Sequence, residues 1–361
     1  MQTGMMEALG AAKHGGYEES LEFVHLPLPT TVLSLAPNDV LIEVAYTDTN
    51  PVDLQKLQGN KGSGHPVASV TFIPGYGGSG TVLETGENVN AGAWKGQRVC
   101  FVADPTRPGS YATHIVVDHR CVALLPLEVS FRDAASIPVA GLTAFESLCK
   151  VGLSSDGRDP KSGKSLLVIG GAGGVGSWTI SLARAWHPSL KIVATASSIE
   201  QHEWCQRIGA DRVIRHDEIK QSLPGGGDGS VDAIICLAEP TPELFGTCAD
   251  IIRPYGSICL VVAGQSIRSL DMSFCFFKCA TVTTETVFSS IRTKFQNIVP
   301  SQELTILLEM LAEGKLRAPI SPDLISGKVH EDFKEALSNV GVLHALTRTG
   351  GRRGKFVMKI S

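Results

Sequence analysis

The stretch KSLLVIGGAGGVGSWTISLARAW, Lys164 to Trp186, narrows the choice of fold more than any other part of the chain. SLLVI reads as a short buried strand, a glycine cluster follows, and then Val175, Trp178, Leu182 and Trp186 recur on one helical stripe until His187-Pro188 ends it. Gly171, Gly173 and Gly176 satisfy the pattern GxGxxG at the junction of strand and helix. Glycine serves turns everywhere, so the pattern alone is weak; here it stands in the context that its physics requires. The glycines allow a tight turn, let backbone N–H groups approach a pyrophosphate and bring helix close to strand, while the helix N-terminus favours negative charge. The segment therefore reads as a dinucleotide-binding βα unit, with a purely structural turn as the alternative.

The same rhythm continues downstream. KIVATAS, DRVI, VDAIICLA and GSICLVVAG read as further strands and EQHEWCQRIGA as a helix. Strands alternating with helices predict a parallel, doubly wound sheet, an α/β class domain. Upstream, DVLIEVAYT, PGYGGSGTVLETG, GQRVCFV and YATHIVVD are short strands punctuated by Gly and Pro, which predicts a compact β-rich barrel or sandwich. RDAASIPVAGLTAFESLCK looks helical with a break at its proline, and SQELTILLEMLAEGK is a later helix. The closing GKFVMKIS is β-like and needs partners, which the N-terminal β-domain supplies most economically. The expected division is 1–133 for the N-terminal part of the β-rich domain, 134–295 for the dinucleotide-binding domain and 296–361 for the return to the first. GNKGSG (Gly59 to Gly64) and SLPGGGDGS (Ser222 to Ser230) read as flexible loops, and no internal repeat is visible.

Composition removes several function classes. With 32 Lys and Arg against 36 Asp and Glu the chain has no basic excess for phosphate backbones, so nucleic acid is not an expected partner. No apolar run reaches the roughly eighteen residues of a membrane span, and MQTGMMEALGAAKHGG has the look of neither a secretory signal nor a transit peptide. A soluble, cytoplasmic protein is expected. The nine cysteines include no CxxC pair and read as buried, reduced thiols. Cys275 and Cys279 are spaced for one helical face, but without His or acid beside them they read as core packing rather than metal ligands.

The end of the second strand selects the cofactor. NAD-binding folds usually place an acid about twenty residues on, where it accepts from the ribose hydroxyls. Here Ala196, Ser197 and Ser198 occupy that place. An uncharged, hydroxyl-lined pocket favours a 2′-phosphate, hence NADPH over NADH. Glu200 is expected in the first turn of the next helix, complementing its dipole.

NPVD (Asn50 to Asp53), PGYGGSGTV, AGLTAFE and IGGAGGVGS, in that order along nearly the whole chain, resemble the medium-chain dehydrogenase/reductases, specifically the zinc-independent quinone oxidoreductases. DPTRPGSYATHIVVD, ATASSIEQHEW and RRGKFVMKI are similar to the branch often labelled zinc-type alcohol dehydrogenase-like. The resemblance implies a GroES-like β-rich catalytic domain and a Rossmann domain that binds NADPH. Zinc alcohol dehydrogenases of this fold carry Cys where Asn50 stands and a His-Glu pair where Tyr76 and Gly77 stand, and their four-cysteine structural lobe is missing here. A catalytic zinc normally needs three protein ligands, so no metal is expected. What remains is hydride delivery from the nicotinamide to an acceptor that is already electron-poor, a quinone or a conjugated enone, with the protein supplying orientation and electrostatics.

The resemblance also implies site residues. Asn50 matches an Asn of the quinone reductases and is the first candidate for a polar contact to nicotinamide or substrate; its amide both donates and accepts. Satisfying backbone groups in the turn before Pro51 is its plainer role. Tyr76 either donates to the acceptor oxygen or fills the space of a zinc ligand, while Tyr46 and Asp53 are further catalytic candidates, Asp53 with a structural alternative. Cofactor contacts are expected from Asn50, Thr143, the loop Gly171, Ala172, Gly173, Gly174, Val175 and Gly176, then Ser197, Ser198, His216, Ala263 and Gly264. For the 2′-phosphate the family often uses a hydroxyl, a Lys in the following helix and a Tyr after the third strand. This chain has Ser197 and Ser198, then Gln201 and His216 instead, so its NADPH preference is expected to be modest, with Arg215 or His202 as possible replacements for the Lys. The expected activity is an NADPH-dependent quinone oxidoreductase. An enoyl or enone reductase is the alternative within enzymes, and a non-catalytic, crystallin-like NADPH-binding protein the alternative outside them. A homodimer is expected, with SICLVVAG and MSFCFF as its candidate interface.

Overall fold

The computed structural model describes residues 4–11, 15, 21–32, 34–59, 72–154, 163–223, 231–293, 299–321 and 352–361. Most of the two expected flexible loops, at 60–64 and 224–230, lies outside these residues. Backbone contacts divide the chain into two units: Met1–Leu142, Phe288–Gly350 and Lys355–Ser361 form the first, Thr143–Val287 and Gly351–Gly354 the second. The junctions fall at 142/143 and 287/288, against the expected 133/134 and 295/296, and a four-residue piece of the C-terminal segment joins the second unit.

In the first unit β1 (Met5–Ala11) and β2 (Leu21–Pro27) form an antiparallel pair. A larger antiparallel sheet is built on β3 (Asp39–Asp48), which pairs with β4 (Gly77–Thr85) and with β6 (His114–Asp118). Beyond β4 lie β5 (Arg98–Val102) and β7 (Val122–Leu124). Val40, Leu41, Ile42 and Val44 make β3 a core strand, and the register of β3 against β4 shifts between Val44 and Tyr46. Gly80 of β4 is obligatory there, because a Cβ would lie 2.0 Å from the Glu43 carbonyl oxygen. Helix α1 (Pro51–Leu57) follows β3 directly, with Pro51 at its first position, where a missing N–H costs nothing.

The second unit holds a wholly parallel sheet of β8 (Ser165–Ile169), β9 (Lys191–Thr195), β10 (Arg212–Ile214), β11 (Val231–Cys236), β12 (Ile252–Leu260) and β13 (Thr281–Thr284). Its order, β10-β9-β8-β11-β12-β13, is the 3-2-1-4-5-6 winding of dinucleotide-binding folds. Five of these strands are expected from their apolar runs. β13 is not, because TVTT is short, polar and partly exposed at the sheet edge. The helices include α2 (Pro138–Lys150), α3 (Gly174–Trp186), α4 (Ile199–Arg207) and α5 (Pro242–Ile251). In α3 Trp178 and Leu182 are buried as the stripe predicts. Val175 and Trp186 are only partly so, and Trp186 meets the edge of Phe145 at 5.1 Å. The last strand, β14 (Val357–Lys359), returns to the first unit and pairs with β3, Val357 opposite Asp48.

All nine cysteines are free and seven are buried. Cys279 corrects the core-packing expectation: the helix at Ser273–Phe277 ends before it, and it is exposed in a left-handed conformation (φ 50°), while Cys275 is buried. In the MSFCFF segment Phe274, Phe276 and Phe277 are exposed on the single chain. No helix among the described residues is long and apolar enough to cross a membrane.

Candidate functional site

The glycine loop lies at the carboxyl end of β8, beside the point where strand order reverses between β8 and β11. Gly171 packs its α-carbon where a Cβ would meet Ala194 at 2.8 Å, and at Gly176 a Cβ would lie 2.4 Å from the Gly170 carbonyl oxygen, so these two close the helix onto the strand. Gly173 differs. It is exposed, its φ is an ordinary −69°, and a Cβ there would meet nothing closer than the Gly170 oxygen at 3.6 Å. It stands at the N-cap of α3, which has neither a side-chain cap nor an acid in its first turn. Uncapped N–H groups behind a glycine of free outer space fit a dinucleotide pyrophosphate. The loop is held from behind: Gly170 N–H donates to Thr195 Oγ1 at 2.9 Å, and Thr195 Oγ1 pairs with His216 Nδ1 at 2.7 Å. Trp204 Nε1–H donates to Ser177 Oγ, which itself donates to the Ala172 carbonyl.

At the end of β9 the two serines part company. Ser197 is exposed, whereas Ser198 is the N-cap of α4, its hydroxyl accepting from Gln201 N–H and donating to Glu200 Oε2. Glu200 stands in the first turn, as its dipole role predicts. Gln201 is buried and does not project as a replaced phosphate ligand would. Its Oε1 accepts from Ser197 N–H at 2.9 Å and from Ser198 N–H, and its Nε2 donates to the Arg352 carbonyl at 3.0 Å. Arg215 is engaged by Asp217 and Glu218, and burial pushes the His216 imidazole below its usual range, toward the neutral form. Gly264 follows β12, where the Glu239 carboxylate leans against it: a Cβ would meet Glu239 Oε1 at 2.0 Å. Ala263 beside it is exposed. Thr143 is buried in the middle of α2.

In the first unit a buried polar network surrounds Asn50. Asp53, the third residue of α1, caps the helix by accepting from Asn50 N–H at 2.7 Å, and also accepts from the Tyr111 hydroxyl at 3.1 Å. The Asn50 side chain takes no part in that cap; its Oδ1 accepts from Lys355 Nζ. Lys355 is only 3% exposed and additionally donates to the Thr49 carbonyl and pairs with Asp48 Oδ2, both at 2.8 Å. Asn50 Nδ2 is left as a buried donor without a protein partner among the described residues. Sequence reasoning singled out Asn50 and Asp53 but missed Asp48, Tyr111 and Lys355. A lysine heading an apolar strand gives no local sign that it will be buried.

Tyr76 is fully buried, its ring edge-on to Phe288 at 5.5 Å and 5.1 Å from Lys56 Nζ. Tyr46 is half-buried in β3, opposite Lys359 and Ser79. At Gly77 a Cβ would lie 2.7 Å from Asp48 Oδ1 and 2.7 Å from Pro138 Cβ, so no side chain fits. The positions matched to a thiolate, an imidazole and a carboxylate thus hold a carboxamide, a phenol and no side chain, with a buried ammonium against the first. Among the described residues no group of three His, Cys, Asp or Glu could hold a metal.

Burial, reinforced by the neighbouring Asp48, pushes the Asp53 carboxyl up from 3.8 to about 7. Between pH 4 and 7 the folded state therefore keeps a proton that the unfolded chain has released, and stability falls as pH rises through that window. Asp53→Asn keeps an acceptor for Asn50 N–H and removes the titration. Urea midpoints at pH 5 and pH 7.5 should show a decline in the wild type that is smaller in the variant; equal declines would mean that Asp53 does not titrate there.

Comparison with known proteins places this geometry. Residues 36–127 match the family model described as alcohol dehydrogenase GroES-like domain, and residues 174–303 the model described as zinc-binding dehydrogenase. A zinc-type alcohol dehydrogenase-like protein of Staphylococcus aureus is 29% identical over 324 residues, covering 90% of this chain and 91% of its own. A chloroplastic NADPH-dependent alkenal/one oxidoreductase of Arabidopsis thaliana is 33% identical over 236 residues, 63% of this chain and 57% of its own. The solved structure of the quinone oxidoreductase from Coxiella burnetii superposes with a TM-score of 0.78 at 25% identity, covering 99% of this chain and 100% of the other.

Proposed function

The chain belongs to the medium-chain dehydrogenase/reductase superfamily of oxidoreductases, and from that premise we propose that it is an NADPH-dependent, zinc-independent quinone oxidoreductase. The observation that carries this reading is the Asn50 site. A zinc ion finds no thiolate or imidazole there, and the Lys355 ammonium would repel it. An unsatisfied buried donor such as Asn50 Nδ2 costs about 1–3 kcal/mol, a cost that an acceptor oxygen removes. Lys355, bonded to the other end of the same amide, polarises it in the direction that strengthens Nδ2 as a donor. NADPH, when bound by the glycine loop, supplies the hydride. Asn50 then holds the oxygen on which charge develops, and no residue needs to act as a Lewis acid. Such a site suits an acceptor that is electron-poor before it binds. A quinone qualifies, since its oxyanion is delocalised and can take its proton from water.

Reduction of a conjugated enone is the second reading, favoured by the similarity to the alkenal/one oxidoreductase. NADPH oxidation measured with a panel of quinones and enones, in the presence of a strong chelator, tests both. Turnover of quinones unaffected by the chelator is expected. Preference for enones would select the second reading, loss of activity with zinc removal would overturn the zinc-free site, and NADPH binding without turnover of any acceptor would favour a non-catalytic protein.

A further inference from the structure

The segment Gly351–Gly354 groups with the second unit although the chain on both sides of it groups with the first. Backbone hydrogen bonds of its described residues tie it there. The Arg352 carbonyl accepts from Gln201 Nε2 at 3.0 Å, and Gly354 N–H donates to the Ala172 carbonyl at 2.9 Å. The pair Arg352-Arg353 is therefore strung between the glycine loop and the first turn of α4. The Gln201 carboxamide, with its other end on Ser197 and Ser198 N–H, joins the pair to the end of β9, where the ribose is recognised in this winding. Both arginines are half-buried, and burial lowers the Arg352 guanidinium from its ordinary value to about 10, a state that a bound anion would relieve.

Arg215 holds Asp217 and Glu218, while His216 is biased toward neutrality. We propose that Arg352 and Arg353 bind the 2′-phosphate of NADPH, and that Gln201 is the residue that positions them. The charge sought in the helix after β9 is delivered from the C-terminal segment instead. Arginine is suited to it, because its planar fork binds phosphate oxygens in pairs. The proposal rests on the NADPH reading above and adds which residues enforce it.

The test uses the full-length protein and two probes that lack nicotinamide, 2′,5′-ADP and 5′-AMP, with affinities measured by titration calorimetry. Wild type should prefer 2′,5′-ADP. Arg352→Ala/Arg353→Ala should bind it roughly 10- to 100-fold more weakly, with 5′-AMP changed by less than about twofold. Arg352→Lys/Arg353→Lys, which keeps the charge and loses the fork, should fall between. Because 5′-AMP binding reports an intact adenosine site, it also shows that each variant is folded. A wild-type protein without preference would overturn the NADPH reading and this proposal together. A preference that survives in the double alanine variant would overturn the arginine assignment alone.

Discussion

Gly173→Val is expected to abolish NADPH binding while costing the fold about 1 kcal/mol or less, the price of a poor N-cap. The backbone at 173 already has a φ of −69°, and a Cβ would meet nothing nearer than 3.6 Å, so the protein itself has room for the side chain. That room lies in front of the uncapped α3 N-terminus, where a branched side chain would displace a pyrophosphate from the N–H groups. Gly176→Val is the contrasting control. Its Cβ would lie 2.4 Å from the Gly170 oxygen and 2.7 Å from the Gly171 α-carbon, contacts with backbone that cannot swing aside. That variant should lose at least the 1–3 kcal/mol of an overpacked core and its binding with it. Thermal unfolding and fluorescence titration with NADPH separate the two outcomes. Near-normal affinity in Gly173→Val would make the loop a structural turn and remove the dinucleotide argument.

The glycine loop was legible because each of its physical demands maps onto a residue type at a fixed spacing. The same holds for α3, for the apolar strands β8, β9, β11 and β12, and for the return of GKFVMKI to a β-partner, which appears as β14 beside β3. β13 lacks an apolar period, so its residues carry no strand signal. At the end of β9 the sequence held more than a family comparison extracts. Ser198-Ile199-Glu200-Gln201 is a Ser-x-x-Gln capping box, so its own pattern commits the Ser198 hydroxyl and the Gln201 amide to the start of α4. Comparing Gln201 with a family Lys treats it as a lost charge, whereas its amide ties the helix to Arg352. Asn50 and Asp53 announce a helix start in the same local way. Lys355 could not be read, because its environment is made by Asp48, Thr49 and Asn50, about three hundred residues earlier in the chain, and exists only once β14 has paired with β3.

Lys355→Met should therefore be among the most damaging single substitutions outside the glycine loop. It leaves the Asp48 carboxylate fully buried without its counter-ion, and breaking a buried pair from one side costs about 3–5 kcal/mol. Asp48→Asn/Lys355→Met removes both charges and should recover most of that loss, since a neutral buried pair of similar volume carries no desolvation debt. Activity should not recover with it. In the double variant Asn50 Oδ1 no longer has the ammonium that fixes its orientation, so the amide is free to turn and Nδ2 ceases to be a fixed donor. A fall in kcat of about tenfold to a hundredfold with a smaller change in KM is expected, less than the loss of a direct oxyanion donor. Urea unfolding of the three proteins and steady-state rates with one quinone provide the readout. If stability and kcat returned together in the double variant, Lys355 would serve only to balance Asp48, and the orientation of Asn50 would have to come from elsewhere in the network.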